Sequence, residues 1–366
     1  MYRGHTIGVV VPAYNEEGFV GDVIDTMPDY VDRVYVIDDC SQDRTWEEIR
    51  EHAENANERA RTRGTVAVDD ELEPIPNDEL EPIPVEIEER APKVQADGGL
   101  VFDPRVVPIQ HDQNRGVGGA IKTGYQRALE DEIDITAVMG GDGQMDSDIL
   151  HTFLDPIVED EADYAKGNRL LYKEYRQGMS KWRFFGNSVL TFLTKISSGY
   201  WKTMDPQNGY TAISHYALNN VGISSMYEYY GYCNDLLVKL NAKGMRVADV
   251  AMPAVYGDEE SSIRYRTYIR KVSWMLLKNF LWRLKVKYLV LDFHPLALFY
   301  YFGAGTAALG VLGVFWSLYS KFALGDQLFV RASLSMLLFL IGSLFLMFAM
   351  LFDMQVNESK EVQIRD

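Results

Sequence analysis

Residues 6–39 read TIGVVVPAYNEEGFVGDVIDTMPDYVDRVYVIDD, in which two apolar runs flank a segment with helical spacing. The runs at residues 6–11 and 33–37 are rich in β-branched residues, and each is closed by a proline or a pair of acids. Continuous runs of this kind are typical of parallel strands that are buried on both faces. In residues 16–27 the apolar positions recur every three or four residues, which favours a helix. The stretch predicts a β-α-β unit.

The same alternation continues towards the C-terminus. The spacing predicts helices over residues 45–57 and 117–129 and strands over residues 105–110 and 135–139. Strands that alternate with helices form a Rossmann-like α/β fold, in which a mostly parallel sheet carries helices on both faces. Ligands of such sheets bind outside the carboxyl ends of the strands. We therefore expect the functional site in the loops that follow the strands.

Residues 58–99 interrupt this alternation. They contain the sequence ELEPIP twice, at residues 71–76 and 79–84, in a run that is rich in acids and proline. Such a composition buries too little apolar surface to offset the entropy of ordering the chain. We expect a flexible, solvated insert, and a partner-binding segment is the less favoured alternative.

The overall charge is strongly acidic. With 36 Lys and Arg against 53 Asp and Glu, the formal net charge is -17. A nucleic-acid-binding protein carries a basic surface, so we expect no nucleic-acid partner. An acidic surface instead suits a cytosol of high salt, where repulsion between like charges is screened, and this indicates a halophilic source. Cys40 and Cys233 lie far apart with no metal-ligand spacing, which predicts two reduced thiols.

The last hundred residues have the pattern of a membrane anchor. Residues 264–287 carry eight bases and no acid, interleaved with apolar residues, which predicts amphipathic helices on a membrane surface over residues 263–294. The alternative is a plain solvated basic face. Residues 295–319 and 332–352 are uncharged, and each run can cross a hydrocarbon core of about 30 Å as a helix. A hairpin buried in a protein core is the alternative for these two runs.

The distribution of bases also predicts orientation. The basic segment precedes the first span, so the positive-inside bias places it, and the short tail at residues 353–366, in the cytoplasm. No basic region followed by an apolar stretch precedes residue 6, so we expect no signal peptide and a cytoplasmic N-terminal domain.

Polar clusters follow each predicted strand. Residues 12–17 (PAYNEE) follow the first strand and Asp38-Asp39 the second, and carboxylates there can accept hydrogen bonds from a ribose or base. Residues 114–120 (NRGVGGA) open a helix with small residues, and free backbone N–H groups there suit the approach of a nucleotide. Residues 116–123 nearly match a phosphate-binding P-loop, but Ile121 replaces the required second glycine, which excludes that motif.

The fourth strand runs into residues 141–146 (GDGQMD). Such a short acidic turn can hold a hard divalent cation whose shell is completed by diphosphate oxygens. A turn without a metal is the alternative.

Taken in order, these segments resemble glycosyltransferase family 2 with the GT-A fold, and within it the dolichol-phosphate mannose synthase-like branch of polyprenyl-phosphate sugar transferases. The resemblance covers about residues 6–262 outside the insert, and it implies a catalytic domain over residues 1–262. The nucleotide-sugar-binding residues that it implies are Pro12, Tyr14, Asn15, Glu16, Asp38, Asp39, Asn114, Gly116, Lys122 and Asp142.

The resemblance also implies a divalent cation, Mg²⁺ or Mn²⁺, held by Asp142 and Gln144. The D-x-D motif of the family would require Asp at position 140, where this chain has Gly140, so the site is one carboxylate short. Three outcomes stay open: the diphosphate and Gln144 compensate, the metal binds weakly, or the activity is lost.

Two later segments, residues 166–169 (KGNR) and 183–187 (RFFGN), resemble those that hold the acceptor phosphate in this branch. They imply that Arg169, Arg183 and Asn187 contact the lipid phosphate, and a planar guanidinium suits phosphate oxygens. Asp235 stands near the catalytic carboxylate of many relatives. A phosphate monoester is mostly ionised at about pH 7 and needs little help from a base, so Asp235 is expected to orient groups. The implied catalytic residues are Asp142, Arg169, Arg183 and Asp235.

The function that the resemblance implies is inverting transfer of one hexose from a UDP- or GDP-sugar to dolichyl or another polyisoprenyl phosphate. The reaction would lie on the cytoplasmic membrane face and feed lipid-linked glycan synthesis, such as protein N-glycosylation in a halophilic archaeon. One alternative is extension of a lipid-linked oligosaccharide with Asp235 as base. Another is a non-catalytic scaffold that binds nucleotide-sugar, suggested by Gly140 and the insert. The chain lacks a Gln-x-x-Arg-Trp motif and has too few spans for a processive synthase.

Overall fold

The computed structural model describes residues 1–69, 104–170, 181–253, 265–325, 327 and 329–364. In these ranges the chain forms one 8-stranded sheet with flanking helices, followed by a helical hairpin. The strands are β1 Ile7–Ala13, β2 Arg33–Asp38, β3 Val106–Gln110, β4 Ile135–Val138, β5 Tyr164–Asn168, β6 Thr211–Ser214, β7 Val247–Ala251 and β8 Glu361–Ile364. The helices are α1 Val20–Asp25, α2 Thr45–Asp69, α3 Val117–Glu130, α4 Leu150–Val158, α5 Lys181–Ser198, α6 His215–Asn220, α7 Tyr232–Ala242, α8 Tyr265–Lys285, α9 Leu296–Tyr319 and α10 Phe329–Asn357.

The strand order is β3-β2-β1-β4-β6-β5-β7-β8. Strand β6 runs antiparallel to β4 and β5, and every other described pair is parallel. The prediction of a mostly parallel α/β sheet is confirmed. The carboxyl ends of β1 to β4 therefore lie along one edge of the sheet, and the loops that follow them are neighbours.

The strands are buried on both faces, which explains their continuous apolar sequences. In β1, Val9 and Val11 belong to the core shared with α1, α2 and α4. Val10 points the other way, into the core shared with α3, α6 and α7. The predicted arrangement of helices on both faces is thus confirmed. Cys40 and Cys233 are both free thiols, as expected.

Helix α2 is longer than the sequence pattern suggests. It was expected over residues 45–57, but it continues to Asp69, so the first part of the predicted insert is helical. Residues 58–61 (ERAR) are strong helix formers, and no proline of the segment precedes Pro74, so the helix can continue past Asn57. The rest of the insert, residues 70–99 with both ELEPIP repeats, lies outside the described residues.

Helices α9 and α10 form the hairpin. Both are long and apolar enough to cross a membrane, and only 22% and 17% of their most apolar stretches are buried. A side chain at Gly310 would clash with the backbone of Phe339, and one at Gly342 with the backbone of Ala307. Small residues at these crossings let the two helix backbones approach closely, as in membrane helix pairs. The two predicted spans therefore correspond to candidate membrane-spanning helices.

The chain after α10 differs from the expected short tail. Strand β8 pairs with β7 in parallel and forms an edge of the sheet. Val362 and Ile364 pack on the main core, which gives the strand its hydrophobic contact. The C-terminal end of the hairpin is therefore joined to the sheet.

A buried polar network attaches the hairpin to the rest of the fold. Arg283 of α8 pairs with Asp353 of α10 at 2.8 Å, and both side chains are 0% exposed. Lys287 donates to the side-chain oxygens of Asn241 and Asn357, and burial lowers the pKa of Lys287 to about 6. The expectation that all the bases of residues 263–294 face an anionic membrane is wrong for Arg283 and Lys287. They have buried polar partners from α7 and α10, which the sequence pattern does not reveal.

We expect Arg283→Ala to lower the free energy of unfolding by about 3–5 kcal/mol, because Asp353 would remain as an unpaired buried charge. The midpoint of thermal unfolding in detergent measures this. Lys278→Ala, on an exposed position of the same helix, is the matched control and should leave the midpoint unchanged. Equal midpoints for both variants would contradict the assignment of Arg283 to a structural ion pair.

Candidate active site

The loops that follow β1, β2 and β4 are tied together by hydrogen bonds. The Asn15 amide N–H donates to the Ser41 hydroxyl at 2.9 Å, and the Gln42 N–H donates to Asn15 Oδ1 at 2.8 Å. Asn15 has φ 57°, a left-handed conformation that this residue type tolerates. The Gly141 N–H donates to the Pro12 carbonyl at 3.1 Å. These contacts bring the first, second and fourth polar clusters to one edge of the sheet.

The remaining residues of the first cluster border this edge. Tyr14 is exposed and Glu16 is half-buried, and the Glu16 N–H donates to the Thr45 hydroxyl at 2.8 Å. Asp38 is buried, and its carboxylate accepts hydrogen bonds from the Ser41 N–H and from the Gln110 side chain. The first cluster is therefore anchored to the loop after β2 and to the start of α2.

Asp39 has partners that the sequence does not reveal. Its carboxylate accepts from the backbone N–H groups of Arg115 at 2.9 Å and Gly116 at 2.7 Å, and it contacts His111 Nδ1 at 2.7 Å. Asn114 Oδ1 also accepts from the Gly116 N–H, at 3.1 Å. In this structure Asp39 holds the loop before α3, and contact with a nucleoside would compete with these bonds.

The sequence predicts free backbone N–H groups at the start of α3, but in the structure other residues bind them. The Gly119 N–H donates to the Glu228 carbonyl at 2.9 Å, and a side chain at Gly118 would clash with the Tyr227 carbonyl. Lys122 donates to the Glu228 carboxylate at 2.9 Å, and this hydrogen bond lowers the pKa of Glu228. The prediction of free N–H groups is wrong for Arg115, Gly116 and Gly119, because Asp39 and the segment around Glu228 bind them.

The acidic turn after β4 has two carboxylates, Asp142 and Asp146, and the Asp146 carboxylate accepts from the Asp148 N–H at 2.9 Å. Asp142 Oδ1 accepts from the Gln144 N–H at 3.1 Å. A Cβ atom at Gly140 would lie 2.9 Å from the same oxygen. Within the described part of the chain, no group of three or more His, Cys, Asp or Glu side chains could hold a metal ion. A cation on Asp142 would therefore take most of its ligands from diphosphate oxygens, Gln144 or water.

Arg169 forms a bidentate pair with Asp205. Arg169 Nε lies 2.7 Å from Oδ2 and Nη2 lies 3.0 Å from Oδ1, and the arginine side chain is 24% exposed. Burial would raise the pKa of Asp205, but the hydrogen bonds and charge of Arg169 outweigh it, and the pKa is lowered. A bidentate pair fixes the plane of the guanidinium. Arg169 is therefore held in one orientation beside the end of β5.

The residues before Arg169 point into the interior. Lys166 pairs with Asp249 at 2.8 Å, and both side chains are 1% exposed. Asp249 also accepts from the Asn168 side chain and from the Met204 N–H. This buried cluster attaches the chain just before Asp205 to strands β5 and β7.

Both carboxylate oxygens of Asp235 accept hydrogen bonds. Its Oδ1 accepts from the Asn279 side chain at 2.7 Å, and its Oδ2 accepts from the Tyr227 N–H at 2.9 Å and from Lys239 Nζ at 2.8 Å. The side chain is 6% exposed. Asp235 therefore ties α7 to α8 and to the segment that covers α3.

Two other predicted acceptor residues, Arg183 and Asn187, lie on α5. Their side chains are outside the part of the chain that the structure describes. Later in the same helix, Leu190 packs against α8 and Thr194 accepts from the Asn234 side chain of α7. Helix α5 is thus fixed between α7 and α8.

Sequence reasoning gave no role to Asp205, Asp249, Glu228 or His111. Asp249 had a signal, since it is a lone acid in the apolar strand VADVA of β7. Asp205 lies in residues 205–210 (DPQNGY), whose polar composition is that of an ordinary turn, and its pairing with Arg169 depends on the fold. Glu228 and His111 have no sequence signal that separates them from surface residues.

The sequence matches a known family and two curated relatives. The family model for glycosyl transferase family 2 matches residues 8–64 and 86–222. A UDP-N-acetylglucosamine–dolichyl-phosphate N-acetylglucosaminyltransferase of Methanococcus voltae is 26% identical over 251 residues, which are 68% of this chain and 86% of that protein. An uncharacterised protein of Methanocaldococcus jannaschii is 24% identical over 257 residues, 70% of this chain and 84% of that protein.

Among solved structures, glucosyl-3-phosphoglycerate synthase of Mycobacterium tuberculosis with phosphoglyceric acid gives a TM-score of 0.45 at 18% identity, over 76% of this chain and 80% of that one. TarS of S. aureus in complex with UDP gives a TM-score of 0.40 at 12% identity, over 88% and 73%. The family model alone spans more than half of the chain. The chain therefore belongs to glycosyltransferase family 2 and is a glycosyltransferase with a GT-A-type α/β sheet.

Proposed function

We propose that this glycosyltransferase moves one hexose from a UDP- or GDP-sugar to a polyisoprenyl phosphate such as dolichyl phosphate, with inversion at the anomeric carbon. The observation that carries the proposal is the similarity to a protein named as a dolichyl-phosphate N-acetylglucosaminyltransferase, which extends over 86% of that relative. UDP-N-acetylglucosamine, the donor in that name, is the first donor to test. The product would feed lipid-linked glycan synthesis, such as protein N-glycosylation.

The geometry of Arg169 supports a phosphate acceptor. Asp205 binds the guanidinium through Nε and Nη2, so the plane of the guanidinium is fixed at the end of β5. A lipid phosphate placed there can attack the anomeric carbon in line with the departing nucleoside diphosphate, which inverts its configuration. Holding the reacting groups in such a geometry can remove several kcal/mol from the barrier.

A divalent cation fits the chemistry of the turn after β4. Asp142 would hold it with Gln144 close by in sequence, and the diphosphate of the donor would supply further oxygens. Such an ion stabilises the charge that develops on a leaving diphosphate. The Gly141 N–H donates a hydrogen bond to the Pro12 carbonyl. Asp142, and a cation held by it, would therefore lie beside the loop after β1.

The partners of Asp235 favour the phosphate acceptor over a sugar hydroxyl. A hydroxyl nucleophile needs a general base, whereas a phosphate monoester is mostly ionised at about pH 7. Lys239, Asn279 and the Tyr227 N–H already bind both oxygens of Asp235. This arrangement suits a residue that orients helices rather than one that removes a proton.

We expect Asp235→Asn to lower the free energy of unfolding by about 2 kcal/mol, the value of hydrogen bonds to a charged group. The folded fraction should keep its kcat within a few-fold and keep its pH profile, because no proton transfer is lost. Thermal unfolding and kcat against pH measure the two effects. A large loss of kcat with an unchanged unfolding midpoint would instead identify Asp235 as a general base and favour oligosaccharide extension.

We place the enzyme at the cytoplasmic membrane face. The outer surfaces of α9 and α10 are apolar and exposed, and the chain after α10 joins the sheet as strand β8. Helix α8 also carries exposed bases. Beside them lie exposed apolar side chains, which include Ile269, Trp274, Leu277, Leu281 and Trp282. An apolar surface with flanking bases suits the boundary of an anionic cytoplasmic leaflet.

The proposal is tested with membranes that contain the protein. They are incubated with labelled UDP- or GDP-sugars and with either dolichyl phosphate or a lipid-linked oligosaccharide, with and without chelator. The assays are run in low and high KCl, because a net charge of -17 suits a high-salt cytosol. Chelator-sensitive label on dolichyl phosphate supports the proposal. Label only on the oligosaccharide indicates extension, and donor binding without turnover indicates a scaffold, and either result contradicts it.

A further inference from the structure

Strand β8 carries an acid with an unusual set of partners. The Glu361 carboxylate accepts from three consecutive backbone N–H groups, those of Trp201 at 2.7 Å, Lys202 at 2.6 Å and Thr203 at 2.8 Å. It also accepts from the Thr203 hydroxyl at 3.2 Å. The residue is only 9% exposed. A carboxylate from the end of the chain therefore fixes a loop that lies about 160 residues earlier.

The loop that Glu361 binds continues to Asp205, the partner of Arg169. Met204 follows Thr203, and it is held on both sides, since its N–H donates to Asp249 at 2.7 Å and its carbonyl accepts from Lys166. Asp205 comes next and binds the Arg169 guanidinium. A run of adjacent contacts thus connects Glu361 to Arg169.

The backbone of Asp205 depends on support from this loop. Asp205 has φ 48°, a left-handed conformation that Asp adopts more readily than most residues but that still costs some free energy. Such a conformation persists only where the surrounding structure holds it. The bonds at residues 201–204 supply that support on the N-terminal side of Asp205.

The other end of the loop lies against the base of the membrane hairpin. Gly199 has φ 80°, and a side chain there would clash with the Arg283 guanidinium. Arg283 pairs with Asp353 of α10. The start of this segment therefore lies against α8, which is paired with the hairpin, and residues 201–203 are bound by the strand that follows the hairpin.

Burying a carboxylate is costly unless its oxygens are hydrogen-bonded. Burial raises the pKa of Glu361, and the N–H groups of Thr203, Trp201 and Lys202 oppose that rise. Successive N–H groups that converge on one anion form a concave binding site, in which the anion stabilises the loop. A solvated tail residue would need no such arrangement.

We propose that Glu361 is a positioning residue for acceptor binding, which sets the orientation of Arg169 through the loop at residues 201–205. The inference rests on the proposed function, since it assigns Arg169 to the lipid phosphate. It also means that the segment beyond the second candidate span completes the acceptor site. Loss of the contact should affect the lipid substrate and leave the nucleotide-sugar unaffected, because the donor loops follow β1, β2 and β4.

The test compares Glu361→Gln with Glu358→Gln in the full chain. Glu358 lies on the same tail, is 67% exposed on its side chain and pairs with the Lys202 ammonium at 3.3 Å, so it controls for charge near the loop. In Glu361→Gln the side-chain NH₂ group replaces one carboxylate oxygen, and it cannot accept hydrogen bonds from the N–H groups of this loop. We expect the KM for dolichyl phosphate to rise about tenfold, as for the loss of one hydrogen bond to a charged group. The KM for the nucleotide-sugar should not change, and Glu358→Gln should match the wild type.

Hydrogen exchange of the amides of residues 201–203 is the second readout, and it should accelerate in Glu361→Gln alone. Thr203→Val, which removes one of the four donors, serves if Glu361→Gln does not fold, and a smaller rise in the same KM is expected. An equal rise in both KM values, or faster exchange with an unchanged lipid KM, would overturn the proposal. If the wild type transfers no sugar to dolichyl phosphate, the proposed function fails while the exchange experiment still tests the contact.

Discussion

Replacing Asp142 with alanine is expected to lower kcat by about 100-fold or more, the scale of removing one group that stabilises transition-state charge. Asp142 is the one carboxylate of residues 140–144, and its Oδ1 accepts only a local hydrogen bond from the Gln144 N–H at 3.1 Å. Its loss should therefore leave the unfolding midpoint nearly unchanged. The measurement is kcat as a function of Mg²⁺ or Mn²⁺ concentration.

Gly140→Asp is the counterpart to that variant. It restores the second carboxylate of the family motif, and the Asp142 side chain can rotate away from the new Cβ, which would otherwise lie 2.9 Å from Oδ1. Metal affinity rises with the number of charged ligands. We expect half-maximal activity at about tenfold lower metal concentration. Chelator-sensitive turnover that survives Asp142→Ala would show that the metal does not bind at this turn.

Replacing Arg169 with alanine is expected to lower kcat/KM for dolichyl phosphate by about 100-fold, as for a charge-assisted contact that is made to the reacting phosphate. Arg169→Lys keeps the charge but not the bidentate pair with Asp205, so it should restore only part of the loss. Steady-state kinetics with both substrates measure the effect. Arg246→Ala is the control, because it removes an arginine that is also paired with acids, Asp160 and Asp163, but that lies away from Asp205.

The same variant should change how stability depends on pH. In the wild type the pKa of Asp205 is lowered, so its pairing stabilises the fold above the unfolded pKa of about 4 and is lost as the pH falls below it. Without the Arg169 guanidinium, the side-chain hydrogen bonds that oppose burial are lost, while the charge of Lys166 and the backbone N–H of residue 169 remain, so the pKa of Asp205 rises and its ionised form stabilises the fold less. The fall in unfolding midpoint between pH 7 and about pH 3 should therefore be smaller in Arg169→Ala than in the wild type. A wild-type pH dependence in the variant would contradict the role of the pair.

The sheet and the hairpin could be predicted from sequence because their signals are local. Strands buried on both faces need unbroken apolar runs, and residues 6–11 supply one. A membrane-spanning helix needs about 20 apolar residues, and the two candidate helices contain them. Strand β8 could not be predicted, because residues 361–364 (EVQI) gain their strand character from pairing with β7, more than a hundred residues earlier.

The sequence located the loops of the site but not the partners of its side chains. The carboxyl ends of parallel strands share an edge, so the positions of Asp38, Asp39 and Asp142 followed from the fold class. The hydrogen bond from the Gly119 N–H to the Glu228 carbonyl could not be predicted in this way, since it joins segments that are distant in sequence. From its sequence context Arg283 is likewise predicted to face the membrane. In the structure it pairs with Asp353, which lies near the end of an apolar helix. Side-chain pairing of this kind depends on packing and has no local pattern.

The most direct test of the account is the mass of the intact lipid product made by the purified protein in nanodiscs with UDP-N-acetylglucosamine or another nucleotide-sugar, a divalent cation and dolichyl phosphate. The account predicts one product, whose mass is that of dolichyl phosphate plus a single sugar residue, and which is nearly absent for Arg169→Ala. Unchanged dolichyl phosphate, together with a mass increase on an added lipid-linked oligosaccharide, would contradict it.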